Sequence, residues 1–375
     1  MTNRERMLTV LRGEIPDCVP VSPDFSNMIP CRLTGKPFWD IYLFKDPPLW
    51  KAYLDAARRF DNDVGFELYD YGPVDVVDGT RPGTEARIVY RDSERIFTQA
   101  FDPATGQWST TGIVYPAANP PVEHVDPAQF GVEQPPRTWT AVNPQPQPEG
   151  YAAWRAIREE LGDHGVLGMS SGFGTFVLGS ASEVYSWYDD PAPWIEKIDE
   201  MTAKALERID AIARLPVRPD FLTCGGSGTL IFQTPAFVRE HLLPGLQKVT
   251  RRAKEVGIST HIHSCGPERA LVDMVVRETD LTSIDPLEIP PMGDCNLAEI
   301  KRSYGDRIVL KGNLHTTQVM LLGTVDDVRR ASRNAIDAAR AGGRFILSTG
   351  DQCGRDTPLE NIHAMVETAR TYGRY

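Results

Sequence analysis

The second half of this chain alternates short apolar runs with helical stretches, and that alternation constrains the fold more than any other feature. Runs at His164–Ser171, Asp220–Cys224, Ser259–Cys265, Ser283–Glu288, Arg307–Asn313 and Arg344–Thr349 have the length and composition of buried strands. Segments 151–161, 192–213, 235–256, 267–278, 296–303, 325–341 and 358–371 carry apolar residues at helical spacing. Two earlier runs, Val19–Phe25 and Asp63–Leu68, bring the strands to eight. Strand and helix alternating eight times is the pattern of an α/β protein closed into a parallel (β/α)8 TIM barrel, with chemistry at the C-terminal ends of the strands. One such domain is expected over residues 1–375, because barrels of this kind reach that length with insertions.

The N-terminal half departs from the alternation. Between residues 86 and 115 the period changes to two, at Arg87–Tyr90, Arg95–Thr98 and Gly112–Tyr115, with turn-forming Asp102-Pro103-Ala104-Thr105-Gly106 before the last run. This predicts an antiparallel β-hairpin insertion. Residues 116–148, with Pro120-Pro121, Pro135-Pro136, Pro144, Pro146 and Pro148, read as a proline-rich connector. Residues 28–50 mix Pro30, Pro37, Pro47 and Pro48 with Phe38, Trp39, Tyr42, Phe44 and Trp50, as a semi-rigid lid or a surface clasp would.

A net charge of −11 and a pI near 5.2 argue against a phosphate backbone as partner, so no nucleic acid is expected. No apolar run approaches the roughly 18–20 residues of a membrane span, and no apolar signal core follows Met1. Six scattered cysteines give no disulfide framework, and the expected compartment is the cytoplasm.

The most informative local pattern is Thr260-His261-Ile262-His263-Ser264-Cys265-Gly266, read with Ser348-Thr349-Gly350-Asp351-Gln352-Cys353-Gly354. Strand alternation sends His261, His263 and Cys265 to one face. A single His or Cys on an apolar strand is ordinarily a packed core residue, but two imidazoles and a thiol on one face form half of a soft metal site. Zn²⁺ takes such ligands, commonly three with a fourth position open, and Cys353 is the candidate third. Asp285, Glu288, Asn313, His315 and Asp351 stand at the same predicted rim, each with an ordinary capping or hydrogen-bonding role as the alternative. Gly225-Gly226-Ser227-Gly228-Thr229 lacks the P-loop lysine and the dinucleotide fingerprint. Its glycines suit close approach of an anion or a bulky partner, which makes Gly225 and Gly226, with Asn313 and His315, candidate cofactor contacts.

These residues carry a resemblance. Asn3-Arg4-Glu5-Arg6 with Gly13, Pro16 and Val19-Pro20-Val21, the Thr234-Pro235-Ala236-Phe237 helix, His263-Ser264-Cys265-Gly266, and Gly343-Arg344-Phe345-Ile346-Leu347 with Thr357-Pro358-Leu359-Glu360-Asn361 resemble the uroporphyrinogen decarboxylase superfamily. Within it the chain is similar to the zinc- and corrinoid-dependent methyltransferase branch, which includes methylcobamide:coenzyme M methyltransferases. The resemblance implies zinc on His263, Cys265 and Cys353, with Glu288 or Asp351 as a displaceable fourth ligand and His261 as a supporting group or replacement ligand. It also implies methyl transfer between a small-molecule donor or acceptor, a methyl ether or thiol, and a corrinoid (cobalamin) carried by a partner protein. A homodimer is a further assembly to test. The decarboxylase proper has a histidine where Cys353 stands and an N-terminal arginine motif, of which this chain has only Arg32 near Phe25, so decarboxylation is the alternative. A non-catalytic corrinoid- or ligand-binding barrel is the third reading.

Overall fold

The computed structural model describes residues 1–65, 83–176 and 178–375. Contacts divide the chain into two units, one of Met1–Asp24, Phe60–Gly72 and Leu161–Tyr375, the other of Phe25–Arg59 and Pro73–Glu160.

The second unit is built on an antiparallel sheet of β1 (Glu85–Arg91), β2 (Arg95–Asp102), β3 (Gln107–Pro116), β4 (Val122–Val125) and β5 (Thr140–Ala141), in the order β4-β3-β2-β1-β5. The three runs read as a hairpin insertion are its centre. The sheet is larger than expected because both edge strands come from the stretch read as a connector, with Val114 opposite Val122 and Ile88 opposite Thr140. Prolines flank these short strands rather than interrupt them, and an edge position tolerates such neighbours. The aromatic stretch 28–50 belongs to this unit. It forms the helices Met28–Leu33 and Phe38–Tyr42, and Trp39 and Leu43 pack with Ile88 and Ile96 of the sheet as core. Proline-spaced aromatics look alike in a lid and in a core, and only the partner face decides between them.

The first unit holds a parallel sheet of β6 (Gly168–Ser170), β7 (Phe221–Thr223), β8 (Ser259–His263), β9 (Ser283–Asp285), β10 (Val309–Leu314) and β11 (Phe345–Thr349), in the order β11-β10-β9-β8-β7-β6. All six late strand predictions overlap these elements. Of the two early runs, Val21 makes a parallel bridge to Leu347 at one sheet edge and Val64 a parallel bridge to Gly165 beyond the other. Asp63 N donates to Val21 O at 2.9 Å. Residues 66–68 of the second run lie outside the described residues. Every residue of β10 and β11 is buried, as parallel strands covered on both faces require.

The N-terminal helix Asn3–Leu11 opens on a capping box in which Thr2 and Glu5 satisfy each other's backbone N–H groups. Its Met7, Val10 and Leu11 pack against Val166, Phe221, Val309 and Ile346, residues at or near the starts of their strands. The helix therefore covers the N-terminal ends of the sheet, and the strands' C-terminal ends face the other way. The helix expected over 235–256 is broken: Pro235–Phe237 runs into a π-helical turn, Val238–Leu242, before Leu243–Glu255. Pro244 has no N–H to give the preceding turn, so the ladder re-registers there. A helix at Ala181–Asp189, capped by Ser180, has no counterpart in the sequence reading. It is held by its Trp187, whose ring centroid lies 4.9 Å from those of Phe237 and His241. In the Thr-Pro-Leu-Glu-Asn segment, Asn361 Nδ2 donates to Met320 O at 2.9 Å and Gly323 O at 2.8 Å, satisfying carbonyls at the end of the π-helical turn Thr316–Leu321. No helix of the described residues is long and apolar enough to cross a membrane.

Candidate metal centre

Strand β8 ends at His263, and Ser264-Cys265-Gly266 turns away from it. Gly266 sits at φ +90°, which a side chain would resist, and its N–H donates to Glu288 Oε2 at 2.5 Å. The turn leaves the Cys265 thiol beside the His263 ring. From the loop after β11, Asp351 reaches the same place, and ligand atoms of His263, Cys265 and Asp351 lie within 4.8 Å of one another. His263 Nε2 is 3.6 Å from Asp351 Oδ1. Asp351 adopts φ +122°, a strained backbone for a residue with a side chain, as residues at functional sites often do. Ser227 Oγ lies 3.0 Å from Cys265 Sγ, so the glycine-rich loop after β7 contributes a hydroxyl to the thiol.

Behind these groups lies a buried polar network. Asp285, at the end of β9, holds His263 Nδ1 at 2.9 Å and Lys311 Nζ at 2.6 Å, and its Oδ1 lies 3.2 Å from His261 Nε2. Burial alone would raise the Asp285 pKa, but the charges of Lys311, His261 and His263 hold it well below the usual carboxylate range. Burial likewise pulls His263 down, yet the charge and hydrogen bond of Asp285, the Cys265 contact and the charge of Asp24 carry it well above the usual imidazole value. His261 is lowered, because burial there outweighs Asp285.

The other sequence candidates fall as follows. His261 is on the expected face but one pleat repeat deeper, about 7 Å along the strand, and is 1% exposed. Its Nδ1 hydrogen-bonds Ser283 Oγ at 2.9 Å, its Nε2 lies 3.2 Å from Asp285 Oδ1, and it stands outside the group of three. Cys353 is completely buried, its backbone N–H bound to Asp24 O at 2.9 Å and its thiol pushed up to about 12 by burial, beside Thr349 and Thr357. It lies outside the group of mutually close ligand atoms, where Asp351 of the same loop stands instead. Glu288 is engaged by the Gly266 N–H, and burial raises its pKa. Asn313 Nδ2 donates to Leu287 O at 2.9 Å. His315 Nδ1 accepts from the N–H groups of Thr317 and Gln318 at 3.1 and 3.2 Å, as a helix cap. At Gly226 a Cβ would sit 2.0 Å from Thr175 Oγ1, and Gly225 holds φ +79°, so local packing and backbone shape already require both glycines.

Sequence reasoning passed over Ser227, Asp24, Glu268 and Lys311, and saw Asp285 only as one rim residue among several. One signal was available: Lys311 interrupts an otherwise uncharged strand, and a lysine there needs a carboxylate. Glu268, also fully buried, accepts from Leu287 N at 2.6 Å through Oε1, and burial raises its pKa well above the glutamate range.

Residues 196–372, which contain this site, match the family model described as Uroporphyrinogen decarboxylase (URO-D). The methylcobamide:CoM methyltransferase MtbA of Methanosarcina mazei is 29% identical over 138 residues, 36% of this chain and 37% of that protein. The methylcobamide:CoM methyltransferase MtaA of Methanosarcina barkeri is 31% identical over 140 residues, 37% of this chain and 38% of that protein. The aligned part thus spans under two fifths of either relative. A solved structure, a methyltransferase from Methanosarcina mazei, superposes over 99% of both chains with a TM-score of 0.63 at 18% identity, a likeness of fold.

Proposed function

We propose that the chain is a zinc-dependent methyltransferase that moves a methyl group between a small molecule, a methyl ether or thiol, and a corrinoid carried by a partner protein. The observation that carries this reading is the convergence of His263, Cys265 and Asp351 at the C-terminal end of a parallel sheet. The names of the two relatives point the same way. We further propose that the sheet closes into an eight-stranded barrel through the Val21 and Val64 segments, which their bridges at the sheet edges and the Asp63–Val21 hydrogen bond support.

The donor set fits zinc: imidazole nitrogen, thiolate and carboxylate are all ligands it accepts. Zinc would supply Lewis acidity, presenting a bound thiol as thiolate at neutral pH or polarising an ether oxygen. His263 would hold it through Nε2 and Cys265 through Sγ. Asp351, whose carboxylate stands with these two, would supply the third ligand, and Cys353 of the same loop is the alternative. Ser227 Oγ, 3.0 Å from Cys265 Sγ, would donate to that sulfur in its thiolate form. Glu288, whose pKa burial raises and which feels the charges of Asp351 and His263, would take up the proton that a thiol substrate gives up. The decarboxylase alternative needs cations to clamp a polyacid, and in this network the cation, Lys311, is already engaged by Asp285.

The test combines elemental analysis with corrinoid absorbance. The purified chain should carry about one zinc, following the usual stoichiometry of such sites, and Cys265→Ala should lose it. Candidate methyl ethers and thiols should change the absorbance of a supplied cobalt(I) or methyl-cobalt corrinoid, and a chelator should abolish the change. Chelator-insensitive decarboxylation of uroporphyrinogen with no corrinoid signal overturns the proposal.

A further inference from the structure

We propose that Lys311 and Asp285 are positioning residues: together they lock the His263 ring with its proton on Nδ1 and its Nε2 lone pair turned toward Cys265 and Asp351. The inference deepens the metal reading above and rests on it only where metal affinity is concerned.

The assignment follows from donor and acceptor counting. An ionised carboxylate only accepts hydrogen bonds, so the His263 nitrogen 2.9 Å from Asp285 Oδ1 has to carry a hydrogen. A neutral imidazole has one N–H, and Nε2 is then left as the lone-pair atom. That atom is the one 3.6 Å from Asp351 Oδ1, on the side of the ring facing the candidate centre. The tautomer that binds a cation through Nε2 is therefore set from behind, by Asp285.

Asp285 needs to be held in turn. It is 3% exposed, so water does not fix its orientation, and a carboxylate on a short side chain can rotate about its last bond. Lys311 Nζ takes Oδ2 at 2.6 Å from the neighbouring strand β10, which leaves Oδ1 for the imidazoles. Lys311 is itself 1% exposed, in a strand whose other residues are uncharged. Burying an ammonium is costly, and an apolar residue in its place would often leave a fold as stable or more so. The charge has a purpose only through what it holds. His261 stands on the other side, its Nδ1 2.9 Å from Ser283 Oγ and its Nε2 3.2 Å from Asp285 Oδ1. Two donors thus hold the two oxygens of one carboxylate, His263 Nδ1–H on Oδ1 and Lys311 Nζ on Oδ2, and their rotation is blocked.

The experiment uses the full chain, wild type and Lys311→Met, Lys311→Arg and the apolar double replacement Asp285→Leu with Lys311→Met. Long-range ¹H–¹⁵N correlations of ¹⁵N-histidine-labelled, metal-free protein, followed to rising pH until the His263 ring is neutral, read its tautomer among the seven histidines. Competition with a chromophoric chelator reads zinc affinity. Wild type and Lys311→Arg should show His263 protonated on Nδ1. Lys311→Met should populate the Nε2–H form and bind zinc about 10–100-fold more weakly, the usual effect of losing a group that orients a metal-bound histidine. If circular dichroism shows that Lys311→Met does not fold, the double replacement decides, because it removes both charges together and leaves His263 without its acceptor. An unchanged His263 tautomer with unchanged zinc affinity, in whichever of the two variants folds, overturns the inference. A wild type that binds no zinc but shows the Nδ1–H form would defeat the metal reading and leave this one standing.

Discussion

Asp63→Asn should destabilise the parallel-sheet unit by about 3–5 kcal/mol, the range for breaking a buried ion pair by removing one partner. Asp63 is fully buried and accepts from Arg6 Nη1 at 2.7 Å, Arg370 Nη1 at 2.8 Å and the Val21 N–H at 2.8 Å. It therefore ties the N-terminal helix and the C-terminal helix Leu359–Tyr372 to the two segments that bridge to the sheet edges. Asparagine keeps the shape but loses the charge, and its amide puts a donor where all three neighbours are donors too. At least one buried N–H is left unsatisfied, about 1–3 kcal/mol by itself. Arg6 retains Asp17 at 2.7 and 3.0 Å, which limits the damage on that side and keeps the total near the range given rather than above it. Domains are stable by roughly 5–15 kcal/mol, so the loss is a large fraction of the whole. Urea unfolding followed by tryptophan fluorescence and circular dichroism should show a midpoint lower by roughly 1 M or more at unchanged slope. A loss below about 1 kcal/mol, typical of a solvent-exposed pair, would refute the claim that this network holds the edges together.

Under the zinc proposal, the zinc content of Cys353→Ala and Asp351→Ala separates the two candidate third ligands: the variant that loses metal names it, and undiminished zinc in both would show that neither is required. Glu268→Gln should stabilise the protein increasingly as pH rises. The folded-state pKa of Glu268 is raised, so below the ordinary glutamate value of about 4.3 both states hold the proton and there is no difference. Above it the unfolded chain gives up its proton while the folded one keeps it, and wild type loses about 1.4 kcal/mol per pH unit until the raised value is reached. Glutamine keeps an acceptor for Leu287 N and carries no charge. Urea midpoints measured across pH 4 to 8 should diverge, and parallel curves would refute the assignment.

The parallel sheet was legible because its signals are local: each strand announces itself over a few residues, and the alternation with helices leaves few arrangements. The meeting of His263 and Cys265 was legible for the same reason, since one strand end and its turn place both. Lys311 was visible as a charge in an uncharged strand, but its partner was not, because Asp285 lies 26 residues earlier on another strand. What only the tertiary structure decided depends on contacts between distant segments. Asp351 rather than Cys353 faces His263 because the loop after β11 bends at a strained residue and the Asp24 carbonyl holds the Cys353 N–H. Ser227 meets Cys265 across 38 positions of chain. The edge strands β4 and β5 exist because a sheet was there to pair with, and the 28–50 aromatics became core because its face needed covering. Local periodicity is written residue by residue, whereas the hand-off of a proton or a ligand from one strand to its neighbour is set by packing, and packing is a property of the whole fold.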